Sequence, residues 1–145
     1  RGLELSAALG YTDSEFTDFN GTGLFDGNRL PNAPKSTFNA SGRYEWPLQG
    51  DLSFVARLDY HRIGGLHFSE DNVAFQPSYE TVDAQMSLDG GNWSFTVFGR
   101  NIFEENYVTS VFLRTISPAI YGPLGKDLFQ PDAGSVFGAQ LRWRF

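Results

Sequence analysis

The sequence contains no cysteine and only one methionine, and it has no excess of basic residues. Without cysteine the chain forms neither a disulfide nor a thiolate metal site. A formal net charge of −6 argues against a nucleic-acid binder, which should present a basic patch. No apolar run approaches the ~18 residues that a membrane-spanning helix requires. No signal-peptide pattern follows Arg1, so we expect the N-terminus to be a cut or processed end.

Six stretches of the chain alternate apolar and polar residues with a period of two, which is typical of a β-strand with one apolar face. The 14 phenylalanines and 16 glycines among 145 residues also favour an all-β fold. Mean hydropathy is −0.30, a value that is typical of a soluble protein. It does not argue against a membrane barrel, because half of the residues of a barrel strand face a polar interior. The six stretches cover residues 3–11, 38–46, 52–60, 81–88, 93–100 and 137–145.

The connections between these stretches alternate in length. Residues 48–51 and 89–92 read as tight turns, and the second contains Gly90-Gly91, a strong hairpin signal. Short turns on one side and long loops on the other are typical of outer-membrane barrels. We therefore predict about six meandering antiparallel strands of a transmembrane β-barrel, with short periplasmic turns and long extracellular loops. The three long loops cover about residues 12–36, 64–78 and 102–134.

Charged residues avoid the apolar phase of the predicted strands. Glu80 is the one exception, at the loop-side rim of its strand. This exclusion is what contact with hydrocarbon demands, because a lysine or arginine there costs about 2–4 kcal/mol at the bilayer midplane. The remaining strand charges should face a wet lumen and form cross-strand pairs. They are Glu4, Arg43, Glu45, Arg57, Asp59, Asp83, Arg100, Arg142 and Arg144.

The large amphipathic rings lie at two levels on the apolar phase. Trp46, Trp93 and Trp143 lie near a tight turn or the C-terminus, whereas Tyr11 and Tyr60 lie at the long-loop ends. Such girdles are typical of the two membrane interfaces of a barrel. A soluble β-sandwich or barrel also alternates, but its core would bury tryptophans centrally as readily as at the rim. We therefore predict these five residues as membrane-interface aromatics.

Several segments resemble one family, the TonB-dependent outer-membrane receptors. Residues 1–13, from Arg1-Gly-Leu-Glu-Leu to Tyr-Thr-Asp13, resemble a late barrel strand of these receptors, and Asn28-Arg-Leu-Pro-Asn-Ala-Pro-Lys-Ser36 resembles their passage from loop to strand. Asn101-Ile-Phe-Glu-Glu-Asn-Tyr107 is similar to their penultimate-strand motif. The terminal Leu141-Arg-Trp-Arg-Phe145 resembles the strand that the barrel-assembly machinery recognises, with Leu141, Trp143 and Phe145 as the signal.

The resemblance implies a function for the whole chain. Residues 1–145 would be the C-terminal part of a barrel of about 22 strands, with the plug domain and the earlier strands upstream. The receptor would lie in the bacterial outer membrane and import a ferric siderophore or another bulky nutrient. TonB would supply energy through the absent plug, and the other partners would be outer-membrane lipid and the barrel-assembly machinery. The resemblance implies no enzyme activity and no cofactor.

Two other functions stay open from the sequence. A passive porin or a small structural outer-membrane barrel would need no plug. A soluble β-barrel ligand-binding domain would turn the apolar phase inward as its core. The sequence upstream separates the first two, and expression without detergent tests the third.

The sequence contains only weak matches to patterns of catalytic or metal-binding residues. Residues 18–23 match the start of a calcium loop, but Arg29 replaces the closing glutamate. Asp59 and His61 share one face without an evident third ligand, and no Gly-x-Ser-x-Gly elbow exists. We predict no catalytic, cofactor or metal site. Five phenylalanines in the loops could capture ligand or simply pack on one another: Phe16, Phe19, Phe25, Phe68 and Phe75.

Overall fold

The computed structural model describes residues 2–112 and 128–145 of the chain. These ranges contain ten β-strands, and none of the described residues belongs to a helix long and apolar enough to cross a membrane. The strands are β1 (Gly2–Tyr11), β2 (Ser36–Pro47), β3 (Ser53–Ile63), β4 (Leu66–His67), β5 (Phe75–Gln76), β6 (Tyr79–Asp89), β7 (Trp93–Arg100), β8 (Val108–Phe112), β9 (Leu128–Pro131) and β10 (Val136–Trp143).

Six long strands form one antiparallel meander in the order β1-β2-β3-β6-β7-β10. This confirms the predicted all-β architecture and its six strands. The last strand ends at Trp143 rather than at the predicted Phe145. These six strands form an open sheet with β1 and β10 at its edges. Six strands are too few to close a barrel, because a single-chain barrel needs about eight.

Tight turns lie at one end of the sheet, which we name the turn end, and the long connections lie at the other, the loop end. In the β2–β3 turn, Leu48 N–H donates to the carbonyl of Leu52 at 2.8 Å. In the β6–β7 turn, Gly90 N–H donates to the carbonyl of Trp93 at 2.9 Å, and Gly91 has a φ of 80°. That left-handed value suits glycine because a side chain there would be strained. Both predicted turns are confirmed.

The strand register separates the sheet into two chemically different faces. Side chains on the apolar face align with one another from strand to strand, and so do those on the opposite, charged face. One central row of the apolar face contains Tyr44, Ala56, Met86, Val97 and Ala139. The adjacent row of the charged face contains Arg43, Arg57, Gln85, Phe98 and Gly138.

The apolar face is not covered by any element of the described chain. Leu5 is 74% exposed and Leu141 is 69% exposed. Among residues 2–112 and 128–145, Ala74 is the one buried hydrophobic residue. A soluble domain of this size would bury most of these side chains, because burial of apolar area is the main source of folding free energy. The six strands therefore form one wall of a structure rather than a sandwich around a core.

Two short hairpins lie inside the predicted loops. The β4–β5 hairpin lies within residues 64–78, and the β8–β9 hairpin, with a register shift between Val108 and Ser110, lies within the third loop. Two-residue strands are too short to show a period of two in the sequence, so the alternation did not predict β4 and β5. Residues 113–127 of the third predicted loop lie outside the described part of the chain.

Candidate functional site

The apolar face carries the five predicted interface aromatics at two levels. Trp93 and Trp143 are direct partners across β7 and β10, and Trp46 on β2 also lies at the turn end. Tyr11 and Tyr60 lie on the same face at the loop end. The sequence prediction that these residues share one face in two groups therefore agrees with the strand register.

Trp46 belongs to a small aromatic cluster at the turn end. Its ring centroid lies 4.1 Å from that of Tyr44 and 6.4 Å from that of Phe54 on the neighbouring strand. Trp46 nevertheless remains 52% exposed. The neighbouring rings therefore fix the orientation of the Trp46 ring, while about half of the residue remains exposed on the apolar face.

An ion pair lies in the outermost apolar-face row of β3 and β6. Arg62 and Glu80 are direct partners across β3 and β6, and Arg62 Nη1 lies 3.1 Å from Glu80 Oε1. The prediction that Glu80 is the sole charge of this face is wrong, because β3 continues beyond Tyr60 to Ile63 and brings Arg62 onto it. Both side chains remain half-exposed. Among the described residues of this face, charge is thus confined to the loop-end rim, where the two charges neutralise each other.

The charged face carries ion pairs that run along β2 and along β3. Arg43 Nη2 lies 2.9 Å from Glu45 Oε2, and the Arg57 guanidinium binds both oxygens of Asp59, at 2.7 and 2.8 Å. A longer cross-strand contact of 3.8 Å joins Arg43 to Glu4. The predicted cross-strand pairing is therefore wrong for the two shorter pairs, which use the residue two positions along the same strand.

The register explains this choice of partners. Arg43 lies directly opposite Arg57, and Asp59 lies directly opposite Asp83. Like charges in such positions repel each other, so Arg57, which has no carboxylate opposite it, pairs with Asp59 along its own strand, whereas Arg43 contacts both Glu45 and its partner on β1, Glu4. An open cavity of about 470 Å³ on this face is lined by apolar side chains such as Val55 and Phe98 and by the charged side chains of Arg43, Arg57, Asp59, Asp83 and Arg100. The charged side chains suit this face to contact with water or polar molecules.

The weak metal patterns have other partners in the structure. His61 Nδ1 lies 2.7 Å from Asn39 Oδ1 across β2 and β3. In the segment that resembles a calcium loop, Asp26 Oδ1 accepts the N–H of Phe19 at 3.3 Å. Across the two described ranges no group of three histidines or carboxylates is placed to hold a metal ion.

The phenylalanines of the first loop pack on one another. Phe16 and Phe19 have ring centroids 5.2 Å apart, and Phe19 and Phe25 have centroids 5.0 Å apart, in edge-to-face geometry. In the second loop, Phe75 packs against His67 at 4.9 Å. These contacts support the simpler alternative for these rings, namely loop packing.

The polar residue with the most hydrogen bonds in the described part of the loop end is Asn101, which the sequence marks only as the first residue of the motif at 101–107. It follows β7 with a φ of 48° and is 5% exposed. Its N–H donates to Asp83 Oδ1 at 2.9 Å, and its Nδ2 donates to the Glu105 carbonyl at 2.8 Å and to Asp132 Oδ2 at 3.2 Å. Its carbonyl accepts the Ser135 hydroxyl at 2.5 Å. One residue therefore joins β6, β7 and the start of β10.

Tyr107 extends this network to the β8–β9 hairpin. Its ring stacks on that of Tyr79 with centroids 4.0 Å apart and planes 8° apart. Burial, together with a hydrogen bond to the Asp132 carboxylate, raises the pKa of Tyr107 to about 12. Asp132 N–H in turn donates to the carbonyl of Tyr107 at 2.9 Å. The base of the third loop is therefore a fixed structure.

The net charge of the chain lies in its loops. Residues 12–35, 64–78 and 102–135 together contain ten acidic and four basic residues, whereas the rest of the chain contains seven of each. The net charge of −6 therefore belongs to the three long connections, and the strands and turns are neutral as a set. Among the loop residues that the structure describes, nine are acidic and two are basic, so this part of the loop end carries a negative charge that would act on the approach of charged molecules.

Comparison with known proteins supplies the family. Residues 1–102 match the model of the TonB dependent receptor-like β-barrel. The whole fold is similar to the ferric yersiniabactin uptake receptor FyuA from Yersinia pestis, with a TM-score of 0.83 and 22% identity over 99% of this chain and 21% of that one. It is also similar to two receptors from Acinetobacter baumannii. For BauA, the ferric preacinetobactin receptor, the TM-score is 0.71 with 12% identity over 99% of this chain and 20% of that one. For the siderophore receptor PiuA it is 0.69 with 20% identity over 97% of this chain and 19% of that one.

The chain thus spans about a fifth of the length of each of these receptors. The family model covers more than half of the chain, and the two-faced antiparallel wall has the form that the family's barrels require. The chain belongs to the TonB-dependent receptor-like β-barrel family.

Proposed function

We propose that residues 1–145 are the C-terminal part of the barrel of an outer-membrane receptor that imports a ferric siderophore or a similarly bulky nutrient. The earlier strands and a plug domain would lie upstream. TonB would deliver energy through the plug, and residues 1–145 would supply wall and loops. The observation that carries the proposal is the family match over residues 1–102.

The two faces of the sheet take distinct roles in this proposal. The apolar face would contact outer-membrane lipid, because its central rows are free of charge and hydrocarbon penalises charge there. The charged face would line the lumen. The turn end would be periplasmic, with Trp46, Trp93 and Trp143 at its interface, and the loop end extracellular, with Tyr11 and Tyr60 at the other.

The last strand would also carry the assembly signal. Leu141 and Trp143 lie on the apolar face of β10, paired with Phe95 and Trp93, and Phe145 follows the end of the strand. Because β10 is an edge of the described sheet, its other side is open to a further strand. We propose that the barrel-assembly machinery recognises Leu141, Trp143 and Phe145 there.

The nature of the cargo is supported by the similar structures. The first two are receptors for ferric yersiniabactin and ferric preacinetobactin, and the third is a siderophore receptor. A passive porin would need neither TonB nor a plug, and the family match weighs against it. A soluble domain would leave the apolar face without a cover, which costs folding free energy.

An uptake assay of the intact parent protein tests the proposal. The parent would be expressed in a Gram-negative host that lacks its own siderophore receptors, and uptake of radioactive iron would be measured with a panel of ferric siderophores. We expect uptake of at least one complex, and we expect that uptake to disappear in a host without TonB. Uptake that persists without TonB would support a porin instead. Absence of uptake across a broad panel would overturn the siderophore assignment.

A further inference from the structure

Two of the three long connections are bonded to each other at the loop end. Asn28 Nδ2 donates to the carbonyl of Glu70, 42 positions away, at 2.8 Å. Asn32 N–H donates to the carbonyl of His67 at 2.8 Å. Loops of a barrel could move as separate flaps, but these two share a main-chain hydrogen bond as neighbouring strands do.

Asn72 is the residue that joins the two loops most directly. Its Oδ1 accepts the N–H of Arg29 at 2.8 Å, and its Nδ2 donates to the carbonyl of the same residue at 2.9 Å. The carboxamide therefore offers Arg29 the donor and acceptor that a paired strand would offer. Asn72 holds a φ of 56°, which asparagine tolerates better than most residues. Few other residues could satisfy both the backbone and the side-chain requirement.

Gln76 connects the second loop to the third. It is 7% exposed, its Oε1 accepts the N–H of Val108 at 2.9 Å, and its Nε2 donates to the carbonyl of Pro77 at 3.1 Å. Val108 is the first residue of β8, directly after Tyr107 in the network around Asn101. A buried amide with both ends bonded resists movement of either partner, because each broken bond would leave a buried polar group unsatisfied.

We propose that Asn72 and Gln76 are positioning residues that lock the three loops into one cooperative body, the loop cap. The loop cap comprises residues 12–35 and 64–78 and the described part of 102–135. Loops that are locked in this way open together rather than one by one. A ligand or a substitution that changes the stability of one loop therefore changes the stability of the other two. The consequence for ligand capture rests on the proposed receptor function, whereas the coupling itself does not.

Hydrogen–deuterium exchange of the intact parent receptor in lipid nanodiscs, without ligand, tests the coupling. In Asn72→Ala we expect the backbone amide of Arg29 to exchange about tenfold faster than in the wild type. We expect the same at the amides of Gly27 and Asn32, which donate to the carbonyls of Phe16 and His67 respectively. Asn72→Asp keeps the acceptor for Arg29 N–H and should give a smaller increase. Asn92→Ala is the matched control, since Asn92 lies in the β6–β7 turn at the turn end and therefore outside the loop cap.

The reciprocal experiment separates coupling from simple loss of a contact. Phe19→Ala removes the central ring of the first-loop cluster, and it should speed exchange at Phe68 in the second loop, whose N–H bonds the Ala74 carbonyl. Gln76→Ala should likewise speed exchange at Val108 and Asp132 in the third. Changes confined to Arg29 in Asn72→Ala, with Phe68 unaffected by Phe19→Ala, would overturn the proposal. Because no ligand is present, this result is independent of any failure of the uptake assay.

Discussion

Asp83 Oδ1 accepts a hydrogen bond of 2.9 Å from the backbone N–H of Asn101, so a carboxylate on the charged face of β6 terminates the strand that follows it. The left-handed backbone of Asn101 turns its N–H toward Asp83 and its carboxamide toward Glu105 and Asp132. A single buried asparagine thereby fixes where β7 ends and how the third loop leaves the sheet.

Substitution of Asn101 should separate its side-chain bonds from its backbone conformation. Asn101→Gly keeps the left-handed backbone and loses the side-chain hydrogen bonds, which should cost about 2–3 kcal/mol in the free energy of unfolding. Asn101→Ala should cost about 1 kcal/mol more, because alanine is strained at this φ. Urea unfolding of the parent in lipid vesicles measures both, with Asn106→Gly as the control. Stability of Asn101→Gly equal to that of the wild type would show that the network is dispensable.

The Arg62–Glu80 pair reports where the apolar environment ends. If its row lies at the headgroup level, a double-mutant cycle with Arg62→Met and Glu80→Met should give a coupling energy below about 1 kcal/mol, as for other solvated pairs. Salt should weaken that coupling further. Val82→Glu, one row inward on the same face, should be clearly more destabilising than Glu80→Met. A strong, salt-independent coupling would place the pair inside the hydrocarbon instead.

Tyr107 makes the base of the third loop sensitive to strongly alkaline pH. Its pKa is raised to about 12, so the folded state favours the neutral phenol. The stabilisation is fully present below the unfolded pKa of about 10 and is lost as the pH rises through about 12. The difference in tyrosinate absorbance between wild type and Tyr107→Phe should therefore titrate near pH 12. A difference that titrates near pH 10 would contradict the half-buried, hydrogen-bonded environment of Tyr107.

The period of two in the sequence predicts the six long strands, their faces and the positions of the tight turns, because alternation is a local property of each strand. Arg62 was not predicted on the apolar face because the predicted strand ends at Tyr60, whereas β3 continues to Ile63 through its pairing with β6. Pairing partners, not local pattern, determine where a strand ends. The same limit explains the terminal strand, which ends at Trp143 where its pairing with Trp93 ends.

The loop-end contacts depend on residues far apart in sequence. Asn101 bonds Asp132 and Ser135, 31 and 34 positions away, and Asn72 bonds Arg29, 43 positions away. Asparagine in a loop is common and carries no signal of such partners. The side-chain pairing of Arg57 with Asp59 also required the register, because only the register shows that Arg43 and Gln85, which offer no carboxylate, lie opposite Arg57.

In the proposed receptor the apolar face of this wall contacts lipid and the charged face contacts the wet lumen. Two neighbouring residues of β6 test this claim. Met86 lies in the central row of the apolar face and Gln85 lies on the charged face. The measurement is the free energy of unfolding of the intact parent in lipid vesicles, for Met86→Arg and Gln85→Arg. We predict a loss of about 2–4 kcal/mol for Met86→Arg and a much smaller change for Gln85→Arg. Equal effects of the two arginines, or a larger loss at Gln85, would contradict the claim.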